Sequence, residues 1–410
     1  HGVAVVPQAG NTCLTGGATP DTSGHQVILS VARLDRIRQL DPLDLTMTLE
    51  AGVILKTAQD AARDAGALLP LSFGAEGSAR IGGMLSTNAG GTQTIRYGNA
   101  RDLCLGLEVV LADGTVLDLL RRLRKDNTGY ALRHLFLGAE GTLGVITAAV
   151  LKLAARPRET CTALVGLASP EAALALLGRV QEADQPSLSC FELFPRLSLD
   201  MALRHIPGVA DPLASPHPWY ALVELATPRA NGALRDLLEA VLAEALEAGA
   251  IADATLAESE AQRSALWRAR EEQSEAQKRE GPHLRHDVSV PVSRVAELIG
   301  KGRDAVETVL PGTRCNAFGH VGDGNVHFNL MAPEGMGAAA FAPHARALTD
   351  AVLSVVRSLE GSFSAEHGIG SIKTDLLAEW RAGPELDAMK RIKAALDPHG
   401  RMNPGKLFPA

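Results

Sequence analysis

No stretch of this sequence stays apolar for the ~18 residues that a membrane-spanning helix requires, which argues against an integral membrane protein. No Gly-x-Gly-x-x-Gly lies between a strand-like and a helix-like segment, so a Rossmann nicotinamide site has little support, and there is no Gly-Lys-Ser/Thr phosphate loop. Cysteine is scarce. The five present (Cys13, Cys104, Cys161, Cys190 and Cys315) are odd in number and include no Cys-x-x-Cys pair. That excludes a disulfide framework or a zinc ribbon and fits a reducing compartment, with most of these thiols acting as small buried hydrophobes. A formal charge of −7 with scattered basic residues argues against nucleic acid as a general partner. Neither low-complexity segments nor repeats of solenoid length occur. The opening residues carry no signal-peptide pattern, and a chain that starts at His1 rather than Met is expected to lack its true start.

What is present is enough for two or three domains and a large core, since the chain has 410 residues of ordinary globular composition. The first third reads as short strands tied by glycine-rich loops. Val3 to Val6, Val27 to Ser30 and Leu45 to Glu50 are strand-like, and Ile54 to Ala65 is an amphipathic helix. Leu107 to Leu119 reads as a hairpin turning at Asp113-Gly114, and Gly144 to Leu153 as a further strand. Ala154-Ala155-Arg156-Pro157-Arg158 breaks the pattern, which places a boundary between domains 1–155 and 156–410. Beyond it the units lengthen. Thr162 to Leu167, the helix Pro170 to Ala183 and Ser189 to Phe194 form one set; Trp219 to Leu225, the helix Gly232 to Ala248 and Ile251 to Leu256 form a second. A long polar helix from Ser259 to Glu280 then precedes a strand from Leu284 to Val290. Paired β-α-β units folding into an antiparallel sheet suit a substrate-binding cap.

Chemistry concentrates in Gly319-His-Val-Gly-Asp-Gly-Asn-Val-His-Phe328. Asp323-Gly324 suits the tip of a two-residue hairpin, which would set His320 directly opposite His327. Imidazoles so placed can converge on one divalent cation at roughly 2.0–2.1 Å per nitrogen. Ser364-Ala365-Glu366-His367-Gly368-Ile369-Gly370 supplies a carboxylate and another histidine as candidates for a third ligand. Histidines that merely cap a turn are the competing reading; two opposed histidines with Glu-His between glycines favour the metal site. Asn329, two residues after His327, faces the same way along the strand. On the helix after Ser259, Arg270 and Ser274 are spaced i, i+4, so a guanidinium and a hydroxyl could clamp a carboxylate together, the alternative being a solvated helix face.

The glycines of the first half follow the same logic. Pro7-Gln8-Ala9-Gly10-Asn11-Thr12-Cys13 follows a strand directly, and Gly16-Gly17, Gly82-Gly83, Gly90-Gly91 and Gly138 to Gly144 come later. Small residues let backbone N–H groups approach a pyrophosphate, although ordinary turns explain most glycine pairs. The order of these loops, with Leu123-Arg-Lys-Asp-Asn-Thr-Gly-Tyr130, Gly319 to Asn329, Ala365 to Gly370 and Asn403-Pro404-Gly405, resembles the FAD-linked dehydrogenases of the vanillyl-alcohol-oxidase/PCMH flavoprotein superfamily. Within that superfamily the chain is most similar to the D-2-hydroxyacid dehydrogenases, over essentially its whole length.

The resemblance implies an α+β fold: a PCMH-type FAD-binding domain, then an antiparallel-sheet cap domain with helices and a C-terminal helical return to the flavin. It implies non-covalent FAD at Pro7, Ala9, Gly10, Asn11, Thr12, Cys13, Gly17, Gly77, Ser78, Gly82, Gly83, Asn88, Gly91, Gly141, Ile146 and Asn403. It also implies a divalent metal on His320, His327 and Glu366 (Zn²⁺ first, with Mn²⁺, Fe²⁺ or Co²⁺ as alternatives), substrate contacts from Arg270, Ser274, Arg285, Asn329 and His367, and His367 as general base. Departures are visible. Ala9 and Cys13 replace common glycines, Ala131 replaces a frequent acidic residue, and Arg285 stands where enzymes acting on D-2-hydroxyglutarate carry lysine. A strand-rich segment before the position of His1 is expected in relatives, and its loss would endanger FAD retention.

The reaction implied is oxidation of a D-2-hydroxyacid to the 2-oxoacid, with D-2-hydroxyglutarate ahead of D-malate, D-lactate and glycolate. The electrons would leave to a quinone or an electron-transfer flavoprotein. An oxidase using O₂, a hydrolase using the same His/Glu cluster on water, and a metal-binding protein inactive through a missing N-terminal segment are the rivals. The expected location is cytoplasmic or peripheral to the inner membrane, with a homodimer as the assembly considered and no nucleic-acid partner.

Overall fold

The computed structural model describes residues 2–409. They divide into two compact units: His1–Gly91 with Tyr97–Arg156 and Glu366–Ala410, and Thr92–Arg96 with Pro157–Ala365. By compactness the stretch from residue 366 onward counts with the first unit.

The first unit is built on a five-stranded antiparallel sheet in the order Ile37–Asp41, Thr46–Glu50, Val145–Lys152, Cys104–Val110, Val116–Leu119. The central strand, Val-Ile-Thr-Ala-Ala-Val-Leu-Lys, is apolar at nearly every position because it is covered on both faces. The turn at Asp113-Gly114 forms as expected: Gly114 has φ +89° and the Asp113 carboxylate accepts from the Thr115 N–H at 2.9 Å. Helix Leu55–Asp64 buries Leu55, Ala58 and Ala62 on one stripe. A short helix, Ile81–Ser86, comes close because Gly82 has no side chain; a Cβ there would lie 2.7 Å from that of Ala51. A separate parallel pair joins Ala4–Gln8 to Gln26–Ser30.

The second unit carries two antiparallel sheets. One has the order Leu188–Pro195, Trp219–Thr227, Glu159–Leu167, Asp253–Leu256, with helices Pro170–Asp184 and Ala233–Glu247 from its two β-α-β units. Ser169 caps the first of these helices by accepting from the Ala172 N–H. The other sheet centres on Asn325–Met331, flanked by Arg314–Phe318 on one side and by His283–Leu284 and Asp287–Ser289 on the other. Its alternation is clean. Phe328 points to helix Val295–Val309, where only a glycine fits: a Cβ on Gly302 would lie 2.4 Å from the Phe328 ring. Asn316 and Asn329, a facing pair on the opposite side, are buried and both donate to the Gln277 side-chain carbonyl at 2.9 and 3.1 Å.

Two expected elements are interrupted. The helix from Ser259 is split into Glu260–Glu271 and Gln273–Glu280 at Glu272. The strand expected from Leu284 to Val290 breaks at residues 285–286, where the Asn329 side chain takes the His286 N–H at 3.2 Å in place of a ladder partner.

Candidate metal and cofactor sites

Backbone geometry decides where His320 goes. Leu193 and Gly319 exchange both backbone hydrogen bonds, at 3.0 and 2.9 Å, and so join the edge strands of the two sheets. Gly319 has φ +150°, and a Cβ there would sit 2.8 Å from the Asn325 carbonyl, so a side chain is barred. The residues beside this bridge, Glu192 and His320, then meet as a cross-strand pair. His320 Nδ1 lies 2.6 Å from Glu192 Oε1.

The expected two-residue hairpin is not formed. Val321–Asp323 is a 3₁₀ turn that ends at Gly324 with φ +87°, and Phe318, not His320, stands opposite His327. The loop is longer because it is tied down. Asn325 turns inward to donate to Asp287 Oδ1 at 3.1 Å and Val288 O at 3.0 Å, and a Cβ on Gly324 would lie 2.2 Å from Val290 O. The two imidazoles nevertheless converge, with ring centroids 5.5 Å apart and planes at 80°.

Ala365 closes the second unit with its N–H on Asp287 O at 3.2 Å, and Glu366 follows it in the chain. One ligand atom from each of His320, His327 and Glu366 lies within 4.8 Å of the others. Two imidazoles and one carboxylate suit a divalent cation that keeps open coordination positions. With Nδ1 bonded to Glu192, Nε2 is the nitrogen through which His320 would bind a cation.

Glu192, which sequence reasoning missed, is 0% exposed, and Arg270 is 6% exposed. Its second oxygen, Oε2, accepts from Arg270 Nε at 2.9 Å and Nη2 at 2.7 Å. Burial raises the pKa of Glu192, but His320 and Arg270 overcome it and hold the carboxyl down at about 2. The Arg270 guanidinium also lies 5.0 Å over the Phe318 ring. The signal was legible: Glu192 is a lone charge within the apolar strand Leu188–Pro195, and such a residue is buried only when paired.

The other expected substrate contacts are placed unequally. Asn329 is buried on the His327 side of the sheet. Ser274 is exposed, and the inward polar positions after Arg270 are Gln273 and Gln277, at i+3 and i+7. Arg285 is exposed and donates to His283 Nε2 at 3.1 Å.

In the first unit the turn after Glu366 is clamped by the glycine-rich loops. The His367 carbonyl accepts from Cys13 Sγ at 3.1 Å and Thr15 Oγ1 at 3.2 Å, and His367 Nε2 lies 3.5 Å from Glu366 Oε1. The buried Glu140 carboxylate accepts from the Ile369 and Gly370 N–H groups, both at 2.7 Å. Here burial prevails over these two bonds and over Lys373 and Lys406, so the Glu140 pKa is raised.

The residues expected to meet FAD all lie in this unit. Pro7 to Gly10 packs on Ser78, Gly83 and Gly141: a Cβ on Gly10 would lie 2.5 Å from Ser78 O, and one on Gly141 3.0 Å from the Pro7 ring. Asn11, Thr12, Gly77 and Ser78 are exposed beside them, while Gly82, Gly91 and Ile146 are buried. Asn88, with φ 52°, accepts from the Arg101 N–H. Asn403 donates to the Gly17 carbonyl at 2.9 Å and the Glu140 carbonyl at 2.6 Å. Its Oδ1 is buried and has no hydrogen-bond partner among the described residues, an acceptor that a flavin ring N–H or ribityl hydroxyl would satisfy. The donor set therefore fits FAD.

Comparison with known proteins agrees. Residues 1–120 match the FAD binding domain family, and residues 156–407 match the family described as FAD linked oxidases, C-terminal domain. The chain belongs to the FAD-linked oxidases, in the superfamily of vanillyl-alcohol oxidase and p-cresol methylhydroxylase. It is 37% identical over 406 residues to D-2-hydroxyglutarate dehydrogenase of Xanthomonas citri pv. viticola, covering 99% of this chain and 84% of that one. It is 36% identical over 418 residues to the mitochondrial D-2-hydroxyglutarate dehydrogenase of Arabidopsis thaliana, covering 99% and 71%. The fold is shared with p-cresol methylhydroxylase, solved with substrate bound, at a TM-score of 0.75 and 15% identity over 99% of this chain and 84% of that one.

Proposed function

We propose that this chain oxidises D-2-hydroxyglutarate to 2-oxoglutarate, with FAD held by residues 1–155 and Asn403, and substrate and a divalent cation held by residues of the 156–410 half. The observation that carries the reading is the convergence of His320, His327 and Glu366, with Arg270 fixed beside them through Glu192. The names of relatives that match nearly the whole chain support the choice of substrate.

When bound, the cation, Zn²⁺ first, supplies Lewis-acid polarisation of the 2-hydroxyl and FAD supplies the two-electron acceptor. The protein's own groups do the rest. Arg270 Nη1, which takes no part in the Glu192 bonds, receives the carboxylate beside the hydroxyl, and the Asn329 amide adds a contact. Arg285, exposed and positive, receives the distal carboxylate, which D-lactate lacks. His367 accepts the hydroxyl proton at Nε2, the nitrogen on the Glu366 side. Ser274 contributes through its hydroxyl at the outer rim. A quinone or an electron-transfer flavoprotein then receives the electrons.

Chelation tests this reading. Stripping the cation should abolish substrate-driven bleaching of the flavin without releasing FAD, and Zn²⁺ or Mn²⁺ should restore it. Unimpaired bleaching by a protein shown to be free of metal would overturn the cation's role.

A further inference from the structure

We propose that Glu192 is a positioning residue serving the cation site and the carboxylate-binding arginine at once, a role that rests on the function proposed above. Water cannot stand in for it, because Glu192 is 0% exposed and Arg270 6%. Each carboxylate oxygen has its own task. Oε1 holds His320 Nδ1 at 2.6 Å, and Oε2 holds Arg270 Nε at 2.9 Å and Nη2 at 2.7 Å. The first bond keeps the His320 proton on Nδ1, so that Nε2 carries none and can act as a ligand. The second turns the guanidinium so that it lies over Phe318, the residue directly opposite His327. One carboxylate thus sets the orientation of a ligand imidazole and of the substrate's cationic contact.

The backbone explains why a carboxylate can do this from a neighbouring sheet. The double bond between Leu193 and Gly319 fixes Glu192 and His320 as cross-strand neighbours, and Gly319 is a position that a side chain cannot occupy. Substituting glutamine keeps the shape but leaves a single acceptor. Arg270 has only donors, so the glutamine oxygen must face it and the amide N–H₂ must face His320 Nδ1. His320 can accept that bond only by moving its proton to Nε2, the nitrogen the cation needs. Glu192→Gln should therefore weaken cation binding without touching the cation.

The test is competition between FAD-loaded protein and a chelator for Zn²⁺, with no substrate present. Glu192→Gln should bind Zn²⁺ about 10- to 100-fold more weakly than wild type with FAD content unchanged. At saturating Zn²⁺ it should raise KM for D-2-hydroxyglutarate more than it lowers kcat, because Arg270 then faces a neutral amide oxygen in place of a carboxylate. Glu192→Asp keeps the charge one methylene short and should recover part of the Zn²⁺ affinity. Should the glutamine variant fail to fold, the aspartate variant carries the test alone, with an affinity loss smaller but above error. Zn²⁺ affinity equal to wild type in the folded variants would overturn the proposal and leave the function above standing. A wild-type protein that binds no Zn²⁺ would overturn both.

Discussion

Two buried glutamates, one in each unit, hold the two ends of the proposed chemistry, and they are held in opposite ways. Glu192 faces the His320 imidazole and the Arg270 guanidinium, and these two partners keep its pKa at about 2 although burial acts to raise it. Glu140 faces two backbone N–H groups, with Lys373 and Lys406 more weakly felt, and burial prevails, so its pKa is raised. The difference lies in partner charge, since both carboxylates are out of water. Glu192 is suited to fixing the charge and tautomer of side chains; Glu140 is suited to fixing the backbone of the turn Gly368–Gly370. Glu140 also sits at φ 51°, a conformation a non-glycine residue adopts only where its surroundings enforce it.

The largest effects belong on the Glu192 side. His320→Ala or His327→Ala removes one of three protein ligands, so bound metal should fall to background while FAD stays, measured by metal analysis and flavin absorbance. Stoichiometric metal in both variants would break the assignment. Next comes His367, on the turn that Glu140 clamps. His367→Asn should keep metal and FAD yet slow flavin reduction by ~10²–10⁴-fold in stopped-flow mixing, the usual range for a general base. A near-normal rate would mean that the proton leaves elsewhere.

The two arginines sharpen the contrast between buried and exposed charge. Arg270→Ala strips a buried carboxylate of its partner and should cost about 3–5 kcal/mol of stability in denaturant titration, as well as turnover of all 2-hydroxyacids. Arg285→Ala, at an exposed position, should change stability by no more than about 0.5 kcal/mol and impair dicarboxylates while sparing D-lactate. Equal losses on every substrate from both variants would refute the distal role of Arg285.

The smallest effect concerns Glu140 itself. Its folded pKa lies above the ordinary value of 4.5, so between the two the folded state binds more protons than the unfolded state. Stability from this group is then full below about pH 4.5 and is lost as pH rises through the folded pKa. In metal-free protein the advantage of wild type over Glu140→Gln should shrink from about pH 4.5 to about pH 7, read from denaturant titrations at the two pH values. An advantage that grows over that range would contradict the burial argument.

Much of this was legible in the sequence, for physical reasons that can be named. Long periodic segments such as Pro170–Asp184 and Ala233–Glu247 announced themselves, and so did the Asp113-Gly114 turn, because each obeys a local rule. The proposed ligands His320, His327 and Glu366, whose donor atoms the fold brings within 4.8 Å of one another, stood out as residue types between glycines. The register of the first two did not. Asp323-Gly324 has the chemistry of a tight hairpin, but the inward Asn325 side chain and the packing of Gly324 on Val290, both non-local, impose a longer turn. Ser274 illustrates the same limit: i, i+4 spacing puts it on the Arg270 side of the helix but does not fix its burial, and Arg270 is buried while Ser274 is exposed. Glu192 could be picked out as a lone charge in an apolar strand, but its partner His320, 128 residues away, could not be read locally, nor could the partner of Glu140, 229 residues away.

The most direct measurement is anaerobic mixing of FAD- and Zn²⁺-loaded protein with D-2-hydroxyglutarate, D-malate, D-lactate and their L enantiomers while the flavin absorbance is followed. Rapid bleaching by D-2-hydroxyglutarate, slower bleaching by the other D acids and none by the L acids is the predicted result. A flavin that stays oxidised with every D-2-hydroxyacid would contradict the proposed function.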